Sequence, residues 1–194
     1  MQPETYYHIY NHANGNENLF RSNENYHFFL RQWAKYIEPM AETYAYCLMP
    51  NHIHFLIRTQ TSKVFENLGG LNSKPANKTI SQAFSNLFNS YTKAFNKMHS
   101  RKGSLFIPNF KRKAITNDAY LTTVVAYIHR NPIHHGFCIH LEDWQHSSYP
   151  TYLTDRKTKV KREFMLDWFC GKEKFIQYHR EQSFLPDQSL FIDF

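Results

Sequence analysis

Residues 43–59 read Thr43-Tyr44-Ala45-Tyr46-Cys47-Leu48-Met49-Pro50-Asn51-His52-Ile53-His54-Phe55-Leu56-Ile57-Arg58-Thr59. Two runs of β-forming residues, 43–48 and 52–59, flank a proline-asparagine turn. So short a link permits only an antiparallel hairpin. Side chains alternate along a strand, so His52 and His54 point to one face while Ile53 and Phe55 point to the other. Two imidazoles side by side on a sheet face make half a metal site.

Upstream, residues 5–12 are rich in Tyr and Ile and predict another strand, followed by turn chemistry at Asn14-Gly15-Asn16. Ser22-Asn23-Glu24-Asn25 starts a helix with Tyr26, Phe29, Leu30, Trp33 and Ile37 at helical spacing, and Pro39 ends it. Downstream, residues 61–78 are polar, contain Gly69-Gly70 and Pro75, and read as a loop. Ile80, Phe84, Leu87, Tyr91, Phe95 and Met98 predict a long amphipathic helix closed by Gly103. Residues 104–115 predict a strand. Asn117-Asp118 caps a helix whose buried stripe is Leu121, Val125 and Ile128, with Pro132 as its stop. Ser147-Ser148-Tyr149-Pro150 reads as a loop, and residues 165–169 and 172–180 as short helices. The order β-α-β-β-α-β-α predicts an α+β fold, a ferredoxin-like antiparallel sheet with helices packed mainly on one face. The other face is then open to a ligand. Residues 1–152 form the expected main domain, and residues 153–194 a basic-to-aromatic extension packed on it through Phe164, Leu166, Trp168 and Phe169.

The chain has 194 residues, 42% of them hydrophobic, which suffices for one domain with a core. No apolar run approaches the roughly 20 residues that span a bilayer, and no signal peptide is evident. Cys47, Cys138 and Cys170 are an odd, scattered set, unlike a disulfide framework or a zinc knuckle, and suit a reducing cytoplasm. The net charge of +7 and pI of about 9.2 suggest a polyanionic partner. Arg101, Lys102, Lys111, Arg112 and Lys113 form one acid-free basic group and residues 156–162 another. The first group supplies the candidates for contact with a nucleic-acid backbone. Phe106, Phe110, Trp144 and Tyr149 lie near basic or loop segments and are candidates for stacking on unpaired bases.

The helix before Pro132 supplies the rest of the site. Tyr127 and Asn131 are four apart and share a helix face. His52, His54 and Asn131 can surround a divalent cation while Tyr127 points at the same place. All three ligands are neutral, so the ion keeps its charge, and the donor set suits Mn²⁺ or Mg²⁺. A phenol with a pKa near 10 needs an activated electrophile, and a metal-polarised phosphodiester is one. Of the 13 tyrosines, Tyr120 shares that helix face, but only Tyr127 has an amide four residues on and a proline after it.

His52-Ile53-His54 resembles the signature of the HUH single-strand nucleases. Its flanks resemble those of the single-tyrosine HUH transposases. Residues 127–137, Tyr127-Ile128-His129-Arg130-Asn131-Pro132-Ile133-His134-His135-Gly136-Phe137, resemble the tyrosine helix of the REP-associated branch. Tyr6-Tyr7-His8-Ile9-Tyr10-Asn11, residues 104–113, and Trp144 with Ser147-Ser148-Tyr149 also resemble that branch, so the likeness spans roughly residues 5 to 152. It implies a metal-dependent endonuclease and strand transferase acting on single-stranded DNA beside a hairpin. Tyr127 would be the nucleophile that forms a 5′-phosphotyrosine link, and His52, His54 and Asn131 the ligands of Mg²⁺ or Mn²⁺. Monomers and homodimers both occur in the family, so the oligomeric state stays open, as does a rival reading, a non-catalytic single-strand binder on the same fold.

Overall fold

A computed structural model describes residues 1–69 and 76–181. Four strands, β1 (Tyr6–His12), β2 (Ala41–Leu48), β3 (His52–Thr59) and β4 (Lys111–Ala114), form one antiparallel sheet in the order β2-β3-β1-β4. Helix α1 (Asn23–Tyr36) joins β1 to β2. Helices α2 (Ser62–Gly69) and α3 (Ala76–Met98) lie between β3 and β4, and α4 (Asp118–His134) follows β4. Short helices α5 (Tyr149–Tyr152), α6 (Arg162–Trp168) and α7 (Lys172–Glu181) complete the described chain. This is the expected α+β class, with the expected antiparallel β2–β3 hairpin.

Strand alternation divides the sheet into two faces. Tyr7, Ile9, Ile53, Phe55 and Ile57 pack against Phe29 and Trp33 of α1, Ile37 just after it, and Ile80, Phe84 and Leu87 of α3. Trp33 stacks on Phe55 with centroids 3.5 Å apart, and its indole N–H donates to the Thr43 hydroxyl at 3.0 Å. The opposite face carries His8, Tyr10, His52, His54 and Leu56, since these alternate with the core residues along β1 and β3. A register shift in β2 between Thr43 and Ala45 keeps Thr43 on the α1 side and lets both Tyr44 and Ala45 join the second core. Helix α4 lies across β2 and β3 on that second face, where Val124, Val125 and Ile128 meet Ala45, Cys47 and Leu56. The face expected to be open is therefore partly roofed by α4 and the helices after it.

Several local expectations are corrected. Residues 61–78 are not simply a loop: α2 forms within them and α3 begins at Ala76, while residues 70–75 lie outside the described residues. Of residues 104–115, only Lys111–Ala114 is a strand; Phe106 makes a single bridge to Ala13. Pro108 has no amide to donate, and Asn109 sits in the left-handed region (φ 63°), so the ladder is broken between them. Pro132 does not stop α4, which runs on to His134. Proline removes only the donor to Ile128 in the last turn. The stop is at Gly136, whose φ of 71° turns the chain. There Gly136 N–H donates to the Ile133 carbonyl and Phe137 N–H to the Pro132 carbonyl, a Schellman closure. Residues 147–150 are not all loop, since α5 begins at Tyr149 with Pro150 in its first turn. In the extension, Met165, Phe169 and Phe175 are buried, Leu166 and Trp168 pack against them, and Phe164, though 41% exposed, meets the buried Tyr44 ring edge-on at 5.2 Å.

Helix α7 docks on α4 through a chain of buried hydrogen bonds. His179 Nδ1 donates to the Phe175 carbonyl at 2.7 Å, so its Nε2 must accept from His129 Nδ1 at 2.9 Å. His129 Nε2 then accepts from the Ser148 hydroxyl at 2.7 Å. Arg130 adds a bond from its guanidinium to the His179 carbonyl at 2.7 Å. The connection anchors the α4 turn that carries Tyr127 and Asn131.

This packing makes two effects measurable. Trp33→Ala removes a ring stacked in the first core, and should lower the unfolding free energy by about 3–5 kcal/mol in urea denaturation; a loss under about 1 kcal/mol would contradict the packing described. Burial, and then the facing charges of His179 on His129 and Arg130 on His179, hold both imidazoles below their ordinary pKa, His179 at about 4 and His129 well down. The unfolded chain binds these protons near pH 6.5 and the folded one does not, so stability is full above that pH and falls as pH drops toward 4. The slope should approach about 1.4 kcal/mol per pH unit for each ring. Urea midpoints at pH 7 and pH 5 should differ accordingly, and less so in His179→Phe; equal midpoints would contradict neutral burial.

Candidate active site

The β1–β3 register sets His12 opposite His52 and Tyr10 opposite His54. His8 is one step along the same face. Helix α4 then brings Tyr127 and Asn131 down onto them. His52 Nε2 lies 2.7 Å from Asn131 Oδ1. The Tyr127 ring meets His54 edge-on at 5.4 Å between centroids, and His8 at 5.8 Å. Tyr127, His52, His54 and Asn131 are all buried. The four candidate residues thus converge within one chain, although β3 and α4 are far apart in sequence.

Five histidines crowd this spot. His12 stacks on His52 with planes 5° apart and centroids at 5.8 Å, and His135 lies 4.9 Å from His52. His8 Nε2 is 3.0 Å from His54 Nδ1. Burial first, and then Lys113, lower the His8 pKa to about 3. His54 is held well below its ordinary value, again first by burial and then by charge on His8, His52, His135 and His12. The His8 and His54 rings are therefore neutral, and each has a lone pair to offer. Sequence reading singled out neither His8 nor Asn51. The signal for His8 was its position on a strand beside the His pair, which becomes visible only once β1 is aligned with β3.

A cation fits these donors on three observations. His54 Nε2 is buried and has no hydrogen-bond partner, and a buried lone pair of that kind calls for a ligand. Both His52 nitrogens face amide oxygens, Nδ1 on Asn51 Oδ1 at 2.8 Å and Nε2 on Asn131 Oδ1 at 2.7 Å. A neutral ring protonated at Nδ1 satisfies Asn51 and leaves two lone pairs, His52 Nε2 and Asn131 Oδ1, facing each other. A cation resolves that clash. Adjacent ligands of a small octahedral ion lie about 3 Å apart, close to the separation found. The third donor is an amide. No group of three or more His, Cys, Asp or Glu placed to hold a metal occurs among the described residues.

The basic candidates divide. Directly opposed residues of paired strands share a face, so Lys111 (opposite Tyr10) and Lys113 (opposite His8) project on the histidine face. Arg112, opposite Ile9, projects on the other, where it lies over Phe110 at 5.9 Å. Arg101 is spent on structure: it bonds Glu17, Asn96, Gly103 and Ser104, and its side chain is only 15% exposed. Lys102 is exposed in the turn after α3. In residues 156–162, Lys159, Lys161 and Arg162 pair with Glu38, Glu42 and Glu163. Among the stacking candidates, Phe106 and Tyr149 are buried in the two cores and present no open face, while Phe110 and Trp144 are half-buried. The Lys113 ammonium lies over the Tyr120 ring, 5.2 Å from its centroid. His129 is structural, held between His179 and Ser148.

No helix among the described residues is long and apolar enough to cross a membrane. No family model matches the sequence, and no curated protein does. Among solved structures, the chain is similar to a REP-associated tyrosine transposase bound to a REP hairpin. The similarity covers 78% of this chain and 81% of that one, at 18% identity and a TM-score of 0.56. At that identity the likeness is one of fold: this chain shares the architecture of a tyrosine transposase.

Proposed function

We propose that this protein is a metal-dependent strand transferase of the REP-associated tyrosine type, acting in the cytoplasm on single-stranded DNA beside a hairpin. The observation that carries it is the meeting of Tyr127, His52, His54 and Asn131 in one buried cluster. The shared architecture with a transposase bound to a hairpin supports the choice of DNA as substrate.

His52, His54 and Asn131 would hold Mg²⁺ or Mn²⁺ through two imidazole nitrogens and an amide oxygen, all neutral. When bound, the ion supplies Lewis-acid stabilisation of charge on a scissile phosphate. Tyr127 supplies the nucleophile. Its oxygen forms an O–P bond as the P–O3′ bond breaks, the phenol proton is lost, and the leaving oxygen is protonated to a 3′-hydroxyl. One phosphodiester replaces another, so the step is near balance and reversible, which suits cutting followed by rejoining. Lys111 and Lys113, on the same face, would bind the phosphate backbone. The residues of the site come together within one chain, which supports an arrangement in which Tyr127 serves its own His pair.

Incubation with labelled hairpin oligonucleotides and Mn²⁺ should yield a DNA-linked protein band on denaturing gels. The band should disappear without metal, in Tyr127→Phe and in His52→Ala. Metal-dependent cleavage that survives Tyr127→Phe would replace the phenol with water as nucleophile, and binding without any adduct would leave only a single-strand binder. Lys111→Ala and Lys113→Ala should each weaken single-strand binding and lower the slope of log K against log salt by about 0.7, whereas Arg112→Ala should change it less. Equal effects at all three positions would contradict the facing read from β4.

A further inference from the structure

We propose that His8 is a positioning residue: it accepts a hydrogen bond from His54 Nδ1 and so fixes the His54 tautomer and ring, with Nε2 bare and aimed at the cation. The inference rests on the proposed cation site and names a residue that acts on that site through His54.

Two neutral imidazoles that meet nitrogen to nitrogen at 3.0 Å share one proton. If His8 donated, His54 would carry its own proton on Nε2, where no acceptor meets it, and a buried N–H would be left unpaired. If His54 donates, its Nε2 is an open lone pair, and the orphaned atom becomes a ligand. Geometry holds the pair in place. Both rings are at most 3% exposed and lie edge to edge, with planes 25° apart and centroids at 5.1 Å, as a hydrogen bond between ring nitrogens requires. The β1–β3 register makes them diagonal neighbours on one face. His8 does for His54 what Asn51 does for His52: each accepts the Nδ1 proton and leaves Nε2 for the ion. Its ring also meets Tyr127 edge-on at 5.8 Å, so it borders the nucleophile as well as the ligand.

Two measurements test this role. In the metal-free protein, long-range ¹⁵N–¹H spectra should show His54 protonated at Nδ1 and bare at Nε2; the opposite tautomer would overturn the proposal. Calorimetric titration with Mn²⁺ should then compare wild type, His8→Phe and His8→Gln. His8→Phe keeps a ring but no acceptor, and should bind Mn²⁺ about 10–100-fold more weakly. His8→Gln puts an amide oxygen near the place of Nε2 and should recover most of that loss, which a merely space-filling role would not produce. Wild-type binding with undiminished affinity in His8→Phe overturns this inference alone. Absence of Mn²⁺ binding by wild type overturns the cation site, and the role of His8 falls with it. Should His8→Phe fail to fold, the wild-type tautomer and the affinity of His8→Gln still separate the two outcomes.

Discussion

The pairing of β1 with β3 is the constraint on which everything else depends. It is one antiparallel ladder, yet it performs two tasks because side chains alternate. One face gives Tyr7, Ile9, Ile53, Phe55 and Ile57 to a core sealed by α1 and α3. The other presents His8, Tyr10, His12, His52 and His54 in a single field. A slip of one residue would exchange the two sets, burying imidazoles in the apolar core and turning Phe55 toward Tyr127. The first core thus protects the register, and the register assembles the site.

The second constraint is the seating of α4. Its apolar residues Val124, Val125 and Ile128 press on Ala45, Cys47 and Leu56, and this contact sets the depth at which Tyr127 and Asn131 meet the histidines. The chain beyond residue 152 contributes here. Met165, Phe169 and Phe175 fill the same core, and His179 grips His129, two residues from Tyr127. A segment far from the histidine signature in sequence thereby braces the helix that carries the proposed nucleophile. Three of its cations, Lys159, Lys161 and Arg162, pair with Glu38, Glu42 and Glu163.

Much of this is legible in the amino-acid order. The hairpin is readable from Pro50-Asn51 between β-forming runs, and α1, α3 and α4 from their apolar spacing. The pairing of Tyr127 with Asn131 follows from four-residue spacing. What escapes a sequence reading does so for physical causes. Pro132 looks like a stop because a proline's cost is usually read as if in mid-helix; in a last turn it removes one bond, and Gly136 carries the true signal. Residues 104–115 look like one strand because their composition permits it, but Pro108 and Asn109 break the ladder. Arg101 looks available because charge alone does not reveal that Glu17, 84 residues away, claims it. Lys111, Arg112 and Lys113 look like one patch, and alternation splits them. His8 cannot be singled out, since a lone imidazole on a strand acquires its partner only through register.

One shared metal centre linking β3 to α4 is the core of the proposed chemistry. The most direct test is an anomalous-scattering map from crystals of the protein soaked in Mn²⁺, recorded at the manganese edge. A single strong peak bonded to His52 Nε2, His54 Nε2 and Asn131 Oδ1, beside Tyr127, is the predicted result. A manganese site elsewhere, or a histidine cluster that stays empty in saturating metal, would contradict it.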